Sequence, residues 1–159
     1  MNVNFVGGEP TPNLHYILRT INNSSENMPV IWNNNLYLSE LAMKLLDGFV
    51  DVYITDFEYG NDKCAENLSG ISNYSKIIMR NHEIAYDSSD IIIRHLVLPN
   101  HVECCSKPII KWISNNLGLD VVLNIMSQYK PFYKASEYHD ISRLPTMDEV
   151  NELFRMLKH

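Results

Sequence analysis

The feature that most restricts the fold is the run IIIRHLVL at residues 91–98, which is rich in β-branched residues and nearly unbroken in its apolar character. That composition predicts a strand buried on both faces, as the strands of a parallel sheet are. Shorter apolar runs precede and follow it. We predict the other four strands at residues 3–6, 30–32, 49–55 and 121–126.

Helical patterns alternate with these strands, because apolar residues recur at the spacing of one helix face. The segment 61–86 divides into one short and one longer helix, and TMDE at residues 146–149 has the spacing of a capping box. The alternation predicts an α/β fold, an open parallel sheet of about five βα units that forms a partial TIM-type barrel. The predicted helices lie at residues 11–21, 39–47, 61–86, 108–117 and 146–157.

Composition limits the classes of function. With 159 residues, 45% of them hydrophobic, the chain suits a single domain over residues 1–159. A net charge of -6 argues against a nucleic-acid partner, which usually meets a basic face. Without an apolar run near the roughly 20 residues of a membrane span, and without a signal-peptide pattern, we predict a cytoplasmic protein with no membrane partner.

Polar residues follow every predicted strand, whereas the opposite, helix-to-strand turns contain mainly turn-forming residues. Parallel α/β folds bind ligands beyond the carboxyl ends of their strands, so these residues predict a ligand site at that edge of the sheet. In chain order they are Gly7, Gly8 and Glu9; Asn33, Asn34 and Asn35; Thr55, Asp56 and Glu58; Asn100 and His101; and Ser127, Gln128 and Tyr129.

Each part of this pattern also has a purely structural interpretation. Gly7 and Gly8 let a ligand approach the backbone beside the Glu9 carboxylate, or they form only a tight turn. The three consecutive asparagines contact ligand or serve as turn residues. Arg94 lies inside an apolar strand and needs a carboxylate partner, which is Asp56, Glu9 or a ligand carboxylate; the alternative is a structural ion pair.

Histidine and cysteine side chains between His95 and Cys105 raise the question of a metal site, since imidazole and thiolate are good zinc ligands. The spacing of His95, His101, Cys104 and Cys105 matches no familiar zinc motif, and strand and loop geometry is expected to scatter these side chains. Loop packing is the better interpretation, and we predict no metal site. The three cysteines, Cys64 included, also imply no disulfide framework.

Five blocks, in order, resemble the later part of radical S-adenosylmethionine proteins related to the pyruvate formate-lyase activating enzyme. The resemblance extends from residue 4 to about residue 143, and it implies a partial (β/α)6 barrel of which this chain holds strands two to six. The blocks are FVGGEPTPNL, PVIWNNNLYLSE, LLDGFVDVYITDFEYG, IIIRHLVLPNHVECC and VVLNIMSQYKPFYKASEY.

The resemblance also implies where S-adenosylmethionine binds. The GGEP block that begins at Gly7 is similar to the segment that meets the cofactor's methionyl amino group, with Gly8 and Glu9 as its contacts. Asn33 and Asn34 stand where the next strand end lines the cofactor pocket.

Later strands complete the implied pocket. Asp56 matches a strand-end aspartate, and Arg94 matches an arginine that approaches the cofactor's carboxylate. Glu58 departs from the family pattern, which has lysine there. The residues implied to lie near the adenosine are Met126, Gln128 and Tyr129.

The family's cluster-binding motif is absent. These enzymes hold a four-iron, four-sulfur cluster on a C-x-x-x-C-x-x-C loop, and no such motif occurs here. A long segment separates Cys64 from Cys104 and Cys105, so we expect the three not to converge on a cluster. The chain alone is therefore not expected to cleave S-adenosylmethionine.

Two interpretations remain open. The chain is part of a longer enzyme that abstracts hydrogen, for which a glycyl-radical-type protein is the implied substrate, or it is a non-catalytic binding module that keeps the fold. The first strand, residues 3–6, would be an exposed edge, and apolar edges invite pairing with another chain. We therefore predict self-association through that strand.

Overall fold

Five parallel strands form one sheet in the order β1-β2-β3-β4-β5, so each strand pairs with the next one in the sequence. The computed structural model describes residues 1–118 and 120–157. The all-parallel sheet confirms the predicted α/β fold and the partial barrel. The strands are β1 (Val3–Phe5), β2 (Val30–Asn34), β3 (Val52–Asp56), β4 (Asp90–Leu96) and β5 (Val122–Met126).

Helices connect the strands, and their ends follow the capping signals in the sequence. Ser39 and Asn61 accept hydrogen bonds from backbone N–H groups of the helices they precede, and Thr146 forms the predicted capping box with Glu149. The helices are α1 (Leu14–Asn22), α2 (Glu40–Leu46), α3 (Asp62–Ser69), α4 (Tyr74–Ser88), α5 (Lys107–Asn116) and α6 (Met147–Met156). Within the described ranges, none of these helices is long and apolar enough to cross a membrane.

A turn that the sequence pattern did not indicate precedes α5. Residues Val102–Ser106 form a π-helical turn, which continues directly into α5. Such wide turns are rare and occur frequently at functional sites. Shorter 3-10 turns occur at Thr11–Asn13, Tyr133–Glu137 and His139–Ile141.

Burial of β4 differs from the prediction. Ile91, Ile93 and His95 are buried, whereas Arg94 and the other alternate residues are only half-buried. The expectation that this strand is covered on both faces is therefore wrong: helices cover one face, and the other lines the inner side of the partial barrel. Because a partial barrel does not close on itself, its inner face stays open to solvent and to ligands.

The covered face contains two buried histidines. The ring of His82 makes hydrogen bonds of 2.8 Å with the carbonyl oxygen of Ile78 and 3.0 Å with the hydroxyl of Thr55. His95 bonds the carbonyl of Phe57 and the hydroxyl of Ser106, both at 2.7 Å. Burial lowers the pKa of both rings, that of His82 to about 4, so both are neutral at physiological pH.

Helix α6 is fastened to the loop after β4 through one carboxylate. Glu149 accepts hydrogen bonds from the backbone N–H groups of Asn100 and Thr146, each at 2.6 Å. The guanidinium of Arg143 donates to both of its oxygens, at 2.8 and 2.9 Å. These donors hold the pKa of Glu149 well below its usual range. Beneath them, Val150 and Leu153 pack in a small apolar cluster with Val97.

We predict that Glu149→Gln lowers the free energy of unfolding by about 2 kcal/mol, because hydrogen bonds to a charged acceptor contribute about that much. Urea unfolding at neutral pH measures it. Asp148→Asn, one residue earlier in the same helical turn, is the matched control and should change stability by less than about 0.5 kcal/mol. Equal effects of the two substitutions would contradict the role of Glu149.

His82 should also make stability depend on pH. Its folded-state pKa lies below its unfolded value of 6.5, so its contribution is complete above pH 6.5 and is lost as pH falls toward 4. Over that window we expect the free energy of unfolding to fall by up to about 3 kcal/mol. The slope should flatten in His82→Asn but not in His139→Asn, whose ring is fully exposed. An unchanged slope in His82→Asn would refute the assignment.

Candidate functional site

A cavity of about 390 Å³ opens at the carboxyl ends of the first four strands. The structure brings together here the residues that the sequence places after β1, β2 and β3, and it adds Arg94 from within β4. Thr55 is the exception, because it is fully buried and its hydroxyl bonds His82. That the cavity residues bind a cofactor stays a prediction. The cavity is lined by Val6, Gly7, Gly8, Glu9, Asn33, Asn34, Asn35, Asp56, Glu58 and Arg94.

An ion pair lies at the base of this cavity. The β3–β4 register sets Asp56 opposite Arg94, so both side chains leave the sheet on the inner face. Nε and Nη2 of Arg94 donate to the two carboxylate oxygens of Asp56 at 2.8 and 2.9 Å. Nη2 also donates to Oδ1 of Asn33 at 2.9 Å. Within residues 1–118 and 120–157, Nη1 makes no hydrogen bond, so it can still meet a ligand.

Glu9 links the ends of the first two strands. One of its carboxylate oxygens accepts a hydrogen bond from the hydroxyl of Thr11, at 2.5 Å, and the other accepts from the backbone N–H of Asn35, at 3.2 Å. Gly7 and Gly8 precede it with φ of 102° and 59°, in the region that favours glycine. An added Cβ at either glycine would meet open space, so backbone conformation and not crowding requires glycine there.

Asn33 and Asn34 point to opposite faces of the sheet, because side chains alternate along a strand. Asn33 is half-buried on the inner face beside Arg94, whereas Asn34 is only 3% exposed. Both polar side-chain atoms of Asn34 are buried without a hydrogen-bond partner among the described residues. Both residues line the cavity, but only the side chain of Asn33 lies on the inner face.

A second, smaller and largely apolar cavity of about 250 Å³ adjoins the first, and Glu58 lines both. Desolvation and the nearby Asp56 carboxylate raise the pKa of Glu58, although its side chain keeps access to solvent. Tyr129 lines this second cavity, where its hydroxyl donates to the carbonyl of Ile141 at 2.7 Å. The other lining residues are Tyr59, Leu68, Leu96, Leu98, Lys130, Phe132, Ala135 and Ile141.

Two predicted residues lie apart from both cavities. Met126 ends β5, and its sulfur accepts a hydrogen bond of 3.3 Å from the exposed side chain of Gln128. Neither residue lines the polar or the apolar cavity. Of the residues implied to lie near adenosine, only Tyr129 is placed beside a cavity.

The three cysteines are close together, so the expectation that they do not converge is wrong. The sulfur atoms of Cys64, Cys104 and Cys105 all lie within 4.8 Å of one another. No local sequence pattern indicates this proximity, because Cys64 is on α3 and the other two are on the π-helical turn 40 residues later. His95 and His101 are not members of the cluster, since their rings bond other groups.

Comparison with known proteins identifies a relative in Methanocaldococcus jannaschii, an uncharacterized protein that is 51% identical over 155 residues. The match covers 98% of this chain but 45% of that protein, so the chain spans less than half of the relative's length. No protein-family model matches the chain.

Solved structures show the same fold. A domain of pyruvate-formate lyase-activating enzyme from Bacteroides vulgatus superposes with a TM-score of 0.71 at 13% identity, covering 99% of this chain and 92% of that one. Streptococcus suis SuiB, solved with its precursor peptide SuiA, superposes with a TM-score of 0.64 at 12% identity, over 99% of this chain and 34% of SuiB. At these identities the likeness shows that the fold is shared and nothing further.

We expect a strong energetic coupling between Asp56 and Arg94. The guanidinium makes two parallel hydrogen bonds to the carboxylate, and each side chain is less than one third exposed. A double-mutant cycle of Asp56→Asn and Arg94→Gln, measured by urea unfolding, should give a coupling of about 1–2 kcal/mol. The matched control is the Glu40–Arg80 pair, in which the Glu40 side chain is 66% exposed. Its coupling should stay below about 0.5 kcal/mol, and a larger value than that of Asp56–Arg94 would contradict the prediction.

Proposed function

We propose that this chain is the S-adenosylmethionine-binding part of a radical enzyme similar to the pyruvate formate-lyase activating enzyme. One observation carries the proposal: Glu9 and Arg94, an anion and a cation, face the same strand-end cavity. An amino acid carries an ammonium and a carboxylate on one carbon, and a site for it needs one group of each charge. The fold likeness supports this proposal, since one of the similar structures is a domain of that activating enzyme.

The charges of the polar cavity favour the methionyl end of the cofactor. Three carboxylates, those of Glu9, Asp56 and Glu58, line the cavity with the single guanidinium of Arg94. S-adenosylmethionine has a sulfonium and an ammonium against one carboxylate, so it is a cation at neutral pH. An excess of carboxylates stabilises such a ligand, most of all where the surroundings are partly desolvated.

Each of the two cavities suits a different part of the ligand, the polar cavity its methionyl group and the apolar cavity its adenosine. The ammonium would lie against the free lone pairs of Glu9, and the carboxylate would approach Nη1 of Arg94, which Asp56 holds in place. The adenosine would enter the adjoining apolar cavity, where Tyr129 and Leu96 offer aromatic and aliphatic surface. Glu58, between the cavities, would then lie nearest to the sulfonium.

The family's iron–sulfur cluster does not fit the residues of this chain. The sequence lacks the C-x-x-x-C-x-x-C motif, and the sulfurs of its three cysteines are too close together for a cube on which each thiolate bonds a different iron. The chain's own residues would therefore bind and orient the cofactor, and they would not reduce it.

Hydrogen abstraction from a glycyl-radical-type protein belongs, in this proposal, to the complete enzyme. The Methanocaldococcus jannaschii relative is more than twice as long as the matched region, so that relative has further sequence in which a cluster-binding segment can lie. The second candidate function is a binding module that keeps the cofactor cavity without a cluster.

We expect S-adenosylmethionine to bind weakly, because the cluster that normally anchors its methionyl group is missing. Titration followed by backbone amide NMR should shift the signals of Gly8, Glu9 and Asn35. Glu9→Gln and Arg94→Gln should each raise the dissociation constant by about tenfold, as loss of a charge-assisted hydrogen bond does. Arg80→Gln removes a cation outside the cavity and is the matched control.

S-adenosylhomocysteine provides a second test in the same experiment. It lacks the sulfonium charge, so the carboxylate-rich cavity should bind it about tenfold more weakly than S-adenosylmethionine. Equal binding of the two ligands, or full binding by the Glu9→Gln and Arg94→Gln variants, would contradict the proposed site.

A further inference from the structure

We propose that Cys64, Cys104 and Cys105 form a site for one thiophilic cation of the Zn²⁺ class, separate from the proposed cofactor cavity. The Sγ atoms of Cys64 and Cys104 are 3.7 Å apart, and those of Cys104 and Cys105 are 4.0 Å apart. All three sulfurs lie within 4.8 Å of one another. In a tetrahedral zinc site with Zn–S bonds of about 2.3 Å, neighbouring sulfurs are about 3.8 Å apart. The thiols thus have almost the spacing that one bound ion requires.

The π-helical turn explains how two adjacent cysteines serve one site. Cys104 and Cys105 both lie in Val102–Ser106, and the wider turn leaves their sulfurs 4.0 Å apart. Wide turns of this kind are rare and occur frequently at functional sites. Because Cys105 is buried while Cys104 is half-buried, the site reaches from the core to the surface.

Close packing against Gly60 positions Cys64, which is the third ligand of the proposed site. A Cβ on Gly60 would lie 2.6 Å from the carbonyl oxygen of Cys104 and 2.6 Å from the Cα of Cys105, so only glycine allows this approach. The approach brings the start of α3 against the π-helical turn. Asn61 then bridges the two segments: its Oδ1 caps α3 at the N–H of Cys64, and its Nδ2 donates to the carbonyl of Cys104 at 2.7 Å.

A hydrogen-bond donor already faces one of the sulfurs. Nδ2 of Asn61 is 3.3 Å from the Sγ of Cys64. Donors in this position stabilise thiolates and orient metal ligands. Cys64 and Cys104 are half-buried, so water can reach the fourth position of a tetrahedral ion, as in zinc sites with three protein ligands.

Other uses of three thiols fit less well. A disulfide between Cys64 and Cys104 would need their sulfurs to move from 3.7 Å to about 2.05 Å, and it would leave Cys105 unused. A four-iron cluster needs its thiolates on separate irons, and it would spread these sulfurs apart. Soft thiolate ligands at single-ion spacing favour one thiophilic ion such as Zn²⁺ over a cluster.

Cobalt titration of the reduced, metal-free 159-residue chain tests the proposal. Co²⁺ occupies zinc sites and gives an intense thiolate-to-cobalt charge-transfer absorption, which should saturate at one ion per chain and disappear when Zn²⁺ is added. Cys64→Ser and Cys104→Ser should each weaken Co²⁺ binding by more than about tenfold. Asn61→Ser keeps a helix-capping oxygen but removes the amide donor, and it should weaken binding by about tenfold.

His139→Gln removes an exposed imidazole that could bind Co²⁺ adventitiously, and it should change neither the absorption nor the stoichiometry. The wild-type result alone decides the proposal if a cysteine variant fails to fold, which circular dichroism will show. Absence of the charge-transfer band, a band that persists in folded Cys64→Ser, or loss of binding in His139→Gln would overturn it. A Cys64–Cys104 disulfide whose reduction restores no Co²⁺ uptake would do the same.

Discussion

Parallel pairing of each strand with its successor in the sequence is the constraint on which the remaining structure depends. Because all five strands run the same way, every strand-to-helix connection leaves the sheet at one edge. The polar residues after β1, β2 and β3 therefore meet although they are far apart in the chain. The same register sets Asp56 beside Arg94, and the resulting fork holds a guanidinium at the base of the cavity. A shift of one residue in the β3–β4 register would turn the side chain of Asp56 or Arg94 to the other face of the sheet.

The two faces of the sheet have different chemistry. The face covered by helices buries Trp32, Tyr53 and Phe57 and keeps His82 and His95 neutral inside hydrogen bonds. The inner face carries Asn33, Asp56 and Arg94, which remain within reach of solvent. The apolar face supplies the stability that lets the inner face hold charged groups in fixed positions, and the proposed binding of a zwitterionic or cationic ligand rests on those groups.

The cysteine cluster depends on the same parallel strand order but lies at a different place in the structure. Segments that follow β3 and β4 carry its ligands, so the parallel order of the strands makes them neighbours in space. Gly60 and Asn61 then set the distance between the two segments. A cation bound there would tie α3 to the turn before α5 and so brace the loops beside Glu58 and the proposed adenosine cavity. The two proposed sites use different residues and can be tested separately.

The sequence by itself determined the strand and helix order, the fold class, the capping box at Thr146 and the edge of the sheet at which polar residues gather. Periodicity and capping are local properties, so they can be read from neighbouring residues. Only the tertiary structure decided that β4 is covered on one face and that the side chains of Asn33 and Asn34 point to opposite faces of the sheet. It also decided that Met126 and Gln128 line neither cavity. The contact between Cys64 and Cys104 is likewise a property of the tertiary structure alone. A contact across 40 residues depends on how two crossover segments pack and on Gly60, which lets those segments touch.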